Sequence, residues 1–383
     1  MKDDTKLTRL GRPHDDRGLV NPAVARGSTM LAPSAAELYD FPAGRPHYGR
    51  VGLDTQDALR QALTGLQGGA GCALTSSGLM ANTLSVLATV EAGGRVLAAD
   101  CTYGPVRSFL TNVLPRYGVT ADFFPARTGA EIADRITDDV QAILLESPGS
   151  LTMELQDVPA IAKVARERGV VTIIDDTWSA GLTFRPLALG VDYAVQALTK
   201  YVGGHSDLLM GAVIARDDAR FERLRGTERS FGFHTAPDDA YLALRGFRTL
   251  SLRMERSFAS SLTIADWLAS RPEVGRIRHP ARPDHPDHAL FARDFTGGSG
   301  LFAFELPGWD TARSERFLDA LEIIGMGFSW GGYESLAIHC DPQLRRSQAR
   351  ERHEGALIRL STGLEAPEDL IADLEKGFAA AAD

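Results

Sequence analysis

The sequence predicts an α/β protein: a large domain built on a mostly parallel sheet, preceded by an extended arm and followed by a smaller α+β domain. Three observations carry this. Short apolar runs of buried-strand character, Val140 to Leu145 and Val170 to Ile174, flank an amphipathic helical segment, Val158 to Arg168. Strand, helix and strand at that spacing mark a parallel sheet with crossover helices. Glycine and proline punctuate residues 1–50 at Gly11, Pro13, Gly18, Pro22, Gly27, Pro33, Pro42, Gly44 and Pro46, which suits an arm without a core of its own. Near residue 250 the pattern changes to a long helix, a Pro/His-rich loop, a strand and a final helix. The expected divisions are 1–50, 51–249 and 250–383, since 383 residues exceed what one compact core usually holds.

Each element follows from its own pattern. An ordered arm that lacks a core must lie on its own body or on another subunit. Thr55 to Leu66 reads as a helix, with Ala58, Leu59, Ala62 and Leu66 on one face and a cap at Asp54-Thr55. Tyr193 to Leu198 and Leu208 to Ile214 are two further buried-strand runs. Leu250 to Leu268 is a long helix, and His279 to His288, broken by Pro280, Pro283 and Pro286, is expected to be an exposed loop. Leu301 to Leu306 is strand-like, and the last helix begins near Pro367.

Composition excludes several classes. Hydrophobic residues at 44% and charged residues at 24% are ordinary for a soluble globular chain. The net charge of -9 leaves no basic footprint for nucleic acid. No apolar run approaches the roughly 18 residues that span a bilayer, and Met1-Lys2-Asp3-Asp4 opens no signal peptide, so a cytoplasmic protein without a membrane partner is expected. Cys72, Cys101 and Cys340 are far apart and lack metal-ligand spacing, which suits reduced thiols.

Three motifs carry chemistry. The run Val170 to Ile174 ends in Asp175-Asp176-Thr177-Trp178. Functional groups collect at the carboxyl ends of strands in open α/β sheets; an acidic pair there suits a metal, a turn cap or the partner of a cationic ring. A second run ends at Leu198-Thr199-Lys200-Tyr201, followed by Gly203 and Gly204. Burying an ammonium is costly, so desolvation there lowers the lysine pKa and makes the amine that a Schiff base with an aldehyde requires. The plain alternative is a surface lysine on a loop. The third motif, Thr75-Ser76-Ser77-Gly78-Leu79-Met80-Ala81, leads into an apolar helix. Small residues with free N–H groups at a helix start make a phosphate site, or simply a cap. The stretch is not a dinucleotide fingerprint, and Gly297-Gly298-Ser299-Gly300 reads as a turn.

A phosphate cradle, an acid for a ring nitrogen and a Schiff-base lysine, in that order, resemble a type I pyridoxal-phosphate enzyme. More narrowly, the chain resembles the Cys/Met-metabolism family of cystathionine lyases and synthases. The matching residues are Tyr48-Gly49-Arg50-Val51-Gly52, Ser77-Gly78, Tyr103-Gly104-Pro105, Glu146-Ser147-Pro148-Gly149, Asp175-Asp176-Thr177-Trp178, Thr199-Lys200-Tyr201 and Arg359-Leu360-Ser361-Thr362-Gly363-Leu364-Glu365. The resemblance implies the type I pyridoxal-phosphate transferase fold, pyridoxal 5'-phosphate on Lys200, and Asp175 on its ring nitrogen. It implies Tyr103 stacked on the ring, and a phosphate held by the Gly78 and Leu79 N–H groups and the Thr199 hydroxyl. Tyr48 and Arg50 would reach the phosphate of a neighbouring subunit in a homotetramer built from catalytic dimers. Arg359 would grip the substrate carboxylate, with Ser329 and Trp330 on the substrate side; Lys200, Tyr103 and Tyr48 would be the catalytic set. Two departures stand out. Relatives often carry Ser where this chain has Ala197, which removes a phosphate hydroxyl, and Asn where it has Asp176.

Within the family, two features favour β-elimination of an amino-acid thioether such as cystathionine, giving homocysteine, pyruvate and ammonia. Phe328-Ser329-Trp330-Gly331-Gly332-Tyr333-Glu334-Ser335 resembles the β-lyase form of a segment that carries a smaller aliphatic residue at the Trp330 position in γ-acting relatives. Glu146-Ser147-Pro148-Gly149-Ser150-Leu151-Thr152-Met153-Glu154 likewise resembles the bacterial β-lyase form. The runner-up is a γ-lyase or γ-synthase. A broader cysteine S-conjugate β-lyase stays open, because Arg107-Ser108 stand where some β-lyases place an acid for the distal amino group of cystathionine. A non-catalytic cofactor-binding regulatory protein is the alternative from another class, and a metal site at His279, His285 and His288 is the weakest reading.

Overall fold

A computed structural model describes residues 1–13, 18–40, 46–348 and 353–382. Seven strands form the first sheet: β1 Gly71–Thr75, β2 Arg95–Ala99, β3 Thr120–Phe124, β4 Val140–Glu146, β5 Val171–Asp175, β6 Tyr193–Ala197 and β7 Gly211–Ala215. Their order is β1-β7-β6-β5-β4-β2-β3. The pairs from β6 through β3 are parallel, whereas β7 runs antiparallel to both β6 and β1. Apolar clusters cover both faces, which is why these strands read as continuous apolar runs rather than alternating ones. A second sheet holds β8 Ile277–Arg278, β9 Leu301–Leu306, β10 Gly325–Met326, β11 Leu336–His339 and β12 Ala356–Ser361. Its order is β10-β11-β12-β9-β8, and only β10 and β11 pair in parallel. Among the described residues no helix is long and apolar enough to cross a membrane.

The arm differs from a wholly extended one. Asp3–Arg9 forms a helix, α1, whose Leu7 is fully buried, and the Arg248 guanidinium binds the Leu7 carbonyl at 2.9 Å as well as that of Leu10. The arm therefore begins docked on its own chain. The next helix, α2 (Asp54–Gln67), buries Leu59 and Leu63 completely, each stabilising by about 1.5–3 kcal/mol. Its start is not closed by Asp54 or Thr55: Gln56 Oε1 accepts from Leu53 N–H at 3.1 Å. Thr55 Oγ1 instead accepts from Ala25 N–H and donates to the Ala23 carbonyl, both at 2.9 Å, and so ties the arm to α2.

The segment 279–288 is not the exposed loop that its prolines suggest. His279 is fully buried, with Nε2 at 3.0 Å from Ser261 Oγ and its ring beside Phe258 and Phe302. His285 is buried as well, and desolvation lowers the two rings to about 3 and about 4. The reason is tertiary. Asp287 pairs with Arg127 at 2.8 Å and accepts from Leu155 N–H at 3.1 Å, which draws the segment onto the loops that follow β3 and β4 of the first sheet.

Two more contacts set the second sheet against the first. Trp178 Nε1 donates to the Leu301 carbonyl at 3.0 Å, and the Tyr201 hydroxyl accepts from Gly300 N–H at 2.9 Å. Both anchors follow strand ends of the first sheet, so β9, and β12 paired with it, are held beside those ends.

Candidate active site

The carboxyl ends of β1, β4, β5 and β6 open on one cavity of about 200 Å³, closed from the other side by Arg359 of β12 and the turn at Phe328 and Trp330. After β1 the chain turns through Ser77, whose Oγ accepts from Met80 N–H at 3.2 Å and caps α3 (Gly78–Leu87). A Cβ on Gly78 would stand 2.4 Å from the Ala197 Cβ. That contact accounts for both small residues: the α3 start lies directly on the end of β6, and the cradle stays shallow. The Thr199 hydroxyl accepts from Met210 N–H at 3.1 Å and lies 3.3 Å from the Met210 carbonyl, so its own proton is shared with the backbone.

Lys200 follows β6 and is largely buried. Desolvation first, and the Arg359 charge second, lower its amine to about 8, against a smaller opposing pull from Asp175. Its Nζ donates to Ser329 Oγ at 2.9 Å and lies 5.2 Å from the Trp330 ring centroid. Asp175 ends β5. Its Oδ1 accepts from the Thr177 N–H at 3.1 Å and hydroxyl at 2.6 Å, and its Oδ2 from Asn82 Nδ2 at 2.8 Å. Burial raises its pKa; the donors from Thr177 and Asn82, then Lys200, pull the other way.

Tyr103 stands at the mouth, nearly half exposed, at the start of α4 (Gly104–Ser108). Arg359 is buried, and its guanidinium reaches the carbonyls of Phe328 at 3.4 Å and Ser329 at 3.1 Å. Its Nε has no partner among the described residues. A buried cation with a free donor is costly unless an anion completes it.

The cavity thus brings together Gly78, Leu79, Tyr103, Asp175, Thr199, Lys200, Trp330 and Arg359, with Ser329 in contact through Lys200. It does not bring Tyr48 and Arg50. Arg50 lines a different cavity, with its Nη1 on the Arg229 carbonyl at 3.2 Å, and Tyr48 is exposed beside it.

Asn82, Thr177 and Glu146 belong to the site and were assigned no role by sequence. Asn82 lies one helical turn after Gly78, and Thr177 two residues after Asp175, so a search for donors at those spacings would have found the first two. Asp176 points elsewhere: it is fully buried, bonded to the Ser179 hydroxyl and, at 3.2 Å, to Gln67 Nε2. The Asn-to-Asp departure therefore falls on a structural network, not on the cavity.

Burial raises the Asp176 carboxyl to about 7 from 3.8. Between those values the folded chain keeps a proton that the unfolded chain has lost, so stability falls as pH rises through the window and stays reduced above it. Asp176→Asn is expected to raise the thermal midpoint by roughly 2 °C or more at pH 8, with the gain shrinking toward pH 4. A gain equal at both values would contradict this.

Comparison with known proteins agrees in length and shape. The family model described as "Cys/Met metabolism PLP-dependent enzyme" matches residues 4–379. A cystathionine β-lyase of Bordetella avium is 42% identical over 390 residues, covering 99% of this chain and 98% of that one. The crystal structure of cystathionine γ-lyase from Lactobacillus plantarum complexed with L-serine superposes with a TM-score of 0.91 at 31% identity, covering 100% of both chains. The metB structure from Corynebacterium glutamicum superposes at 0.93 with 28% identity, covering 99% of this chain and 98% of that one.

Proposed function

Because this chain belongs to the Cys/Met metabolism family of pyridoxal-phosphate-dependent enzymes and has the type I fold of that family, we propose that it is a carbon–sulfur β-lyase acting on thioethers of the cystathionine class. The residues of the cavity fit the cofactor. Gly78 and Leu79 would receive the phosphate at the start of α3, Asp175 would face the ring nitrogen, Tyr103 would cover the ring and Lys200 would hold the aldehyde carbon. The observation that carries the β assignment is Trp330, whose indole stands 5.2 Å from Lys200 Nζ and lines the cavity, where it would restrict how a substrate side chain lies.

When bound, the cofactor supplies the electron sink for the pair left at the substrate α-carbon. The chain's own residues do the rest. Arg359, with its free Nε–H, binds the α-carboxylate and fixes the α-carbon over Lys200. Lys200 takes the α-proton as a neutral amine, a form that its depressed pKa makes accessible near neutral pH. Ser329 Oγ, 2.9 Å away, holds Nζ in line. The Cβ–S bond then breaks with its pair on sulfur, and the released enamine hydrolyses to pyruvate and ammonia. Arg50, which lines another cavity, and Tyr48, exposed beside it, are assigned to the site of a neighbouring copy in a homotetramer of catalytic dimers.

A second reading, a broader cysteine S-conjugate β-lyase, has an observation of its own. Arg107 is turned away from the cavity, bound to Asp100 at 3.0 Å and Ser347 at 2.9 Å and lying over the Phe123 ring. The outer wall is Leu79, Leu209 and Phe328, all exposed. One assay separates the readings. Purified holoenzyme given cystathionine is expected to release pyruvate and homocysteine; 2-oxobutyrate and cysteine would overturn the β assignment. A kcat/KM for S-alkyl cysteines equal to or above that for cystathionine would select the broader enzyme.

A further inference from the structure

Glu146 ends β4 in register with Asp175 at the end of β5, so two carboxyls stand side by side on adjacent parallel strands and line one cavity. Their surroundings are unequal. Asp175 accepts three hydrogen bonds and faces Lys200. Glu146 accepts one among the described residues, from Tyr103 N–H at 2.7 Å. Two adjacent buried carboxylates do not both ionise readily, and the donors decide where the charge stays. Three donors and the neighbouring Lys200 favour the charge on Asp175 over Glu146.

Resting on the cofactor-site reading above, we propose that Glu146 is a positioning residue: its carboxyl anchors the Tyr103 main chain over the cavity and leaves Asp175 as the anion of the site. Tyr103 N–H is one of the donors that a helix start leaves without an intrahelical partner. Tyr103 precedes the first residue of α4, and the bond from its N–H to Glu146 ties the start of that helix to the end of β4. Burial and the Asp175 charge push Glu146 well above the usual carboxylate range; the hydrogen bond from Tyr103 N–H, and after it the Arg346 guanidinium, oppose them without reversing the direction. The other titratable groups facing it are Tyr103 and Cys101, whose Sγ lies 3.6 Å from the Glu146 carbonyl. Lys200 and Arg359 line the same cavity.

The test compares Glu146→Gln and Glu146→Ala as reconstituted holoenzymes, reading the visible circular dichroism of the bound cofactor, its pH dependence and kcat/KM. The Gln amide oxygen accepts the same N–H and carries no charge. Glu146→Gln is therefore expected to keep the dichroic band, its pH midpoint and kcat/KM within about threefold of wild type. Glu146→Ala is expected to lose band intensity and to lower kcat/KM on the order of tenfold or more, as misplaced groups at a reacting centre do. An impaired Gln variant, or one with a shifted pH midpoint, would show that Glu146 is charged and overturn the proposal; so would an Ala variant indistinguishable from wild type. If the Ala variant does not fold, the pH midpoint and activity of the Gln variant still decide. A wild-type protein with no cofactor band would sink the cofactor reading itself, a different outcome from either.

Discussion

Lys200→Ala is expected to remove the visible band of the bound cofactor and to lower pyruvate formation on the order of 10³-fold or more, because covalent anchor and proton acceptor are lost together. Lys200→Arg is expected to fail equally: a guanidinium keeps the charge but is neither nucleophile nor base near neutral pH. The wild-type amine makes a further prediction. Its pKa of about 8 leaves the nucleophilic neutral form a minority at pH 6. The rate at which apoenzyme captures the aldehyde should therefore climb about tenfold per unit below pH 8 and level off above it. Stopped-flow mixing of apoenzyme with pyridoxal phosphate measures this. A rate flat from pH 6 to 9 would show that desolvation does not control this amine.

Arg359→Ala is the second large effect. The guanidinium is buried, its Nη2 committed to the Phe328 and Ser329 carbonyls and its Nε without a partner among the described residues. Loss of a charge-assisted contact to a carboxylate costs about 2–4 kcal/mol, which places the expected fall in kcat/KM near 10²-fold and mostly in KM. Lysine should not rescue it, since a point charge cannot reproduce the fork. Arg359 is also the second cause of the low Lys200 pKa. Removing it should therefore move the midpoint of the aldehyde-capture profile upward while the cofactor band remains. Unchanged KM with an unchanged midpoint would place the substrate carboxylate elsewhere.

These two residues differ in how they could be found. Lys200 and Asp175 follow apolar runs, and the rule that strands deliver functional groups at their carboxyl ends located both before any packing was known. Gly78 was legible for the same reason, as a small residue between a strand and an apolar helix. Arg359 lies inside β12 of the other sheet, and only likeness to relatives singled it out. Nothing local could show that the Trp178 and Tyr201 contacts bring that sheet to the cavity.

Asn82, Thr177 and Glu146 were missed because their importance is relational. Each matters through a hydrogen bond to Asp175 or Tyr103, a partner at most two residues away for Thr177 but 93 away for Asn82 and 43 for Glu146. The histidines of 279–288 were misplaced for the opposite reason. Proline correctly predicted turns there, but not that Asp287 and Arg127 would press those turns into the body of the protein.

By itself, the sequence determined the strands at 140–145, 170–174, 193–198 and 301–306, the helices at 55–66, 158–168 and 250–268, that the sheet is largely parallel, and that a lysine and an acid sit at strand ends. Periodicity and turn chemistry act over a few residues, and one strand with its loop contains them. The tertiary structure alone decided that Lys200 loses solvent beside Arg359, that Asp175 gathers three donors where Glu146 gathers one among the described residues, and that Arg50 lines a separate cavity with Tyr48 exposed beside it. Those outcomes depend on desolvation and on donors supplied across strands and sheets, which exist only after distant segments have packed.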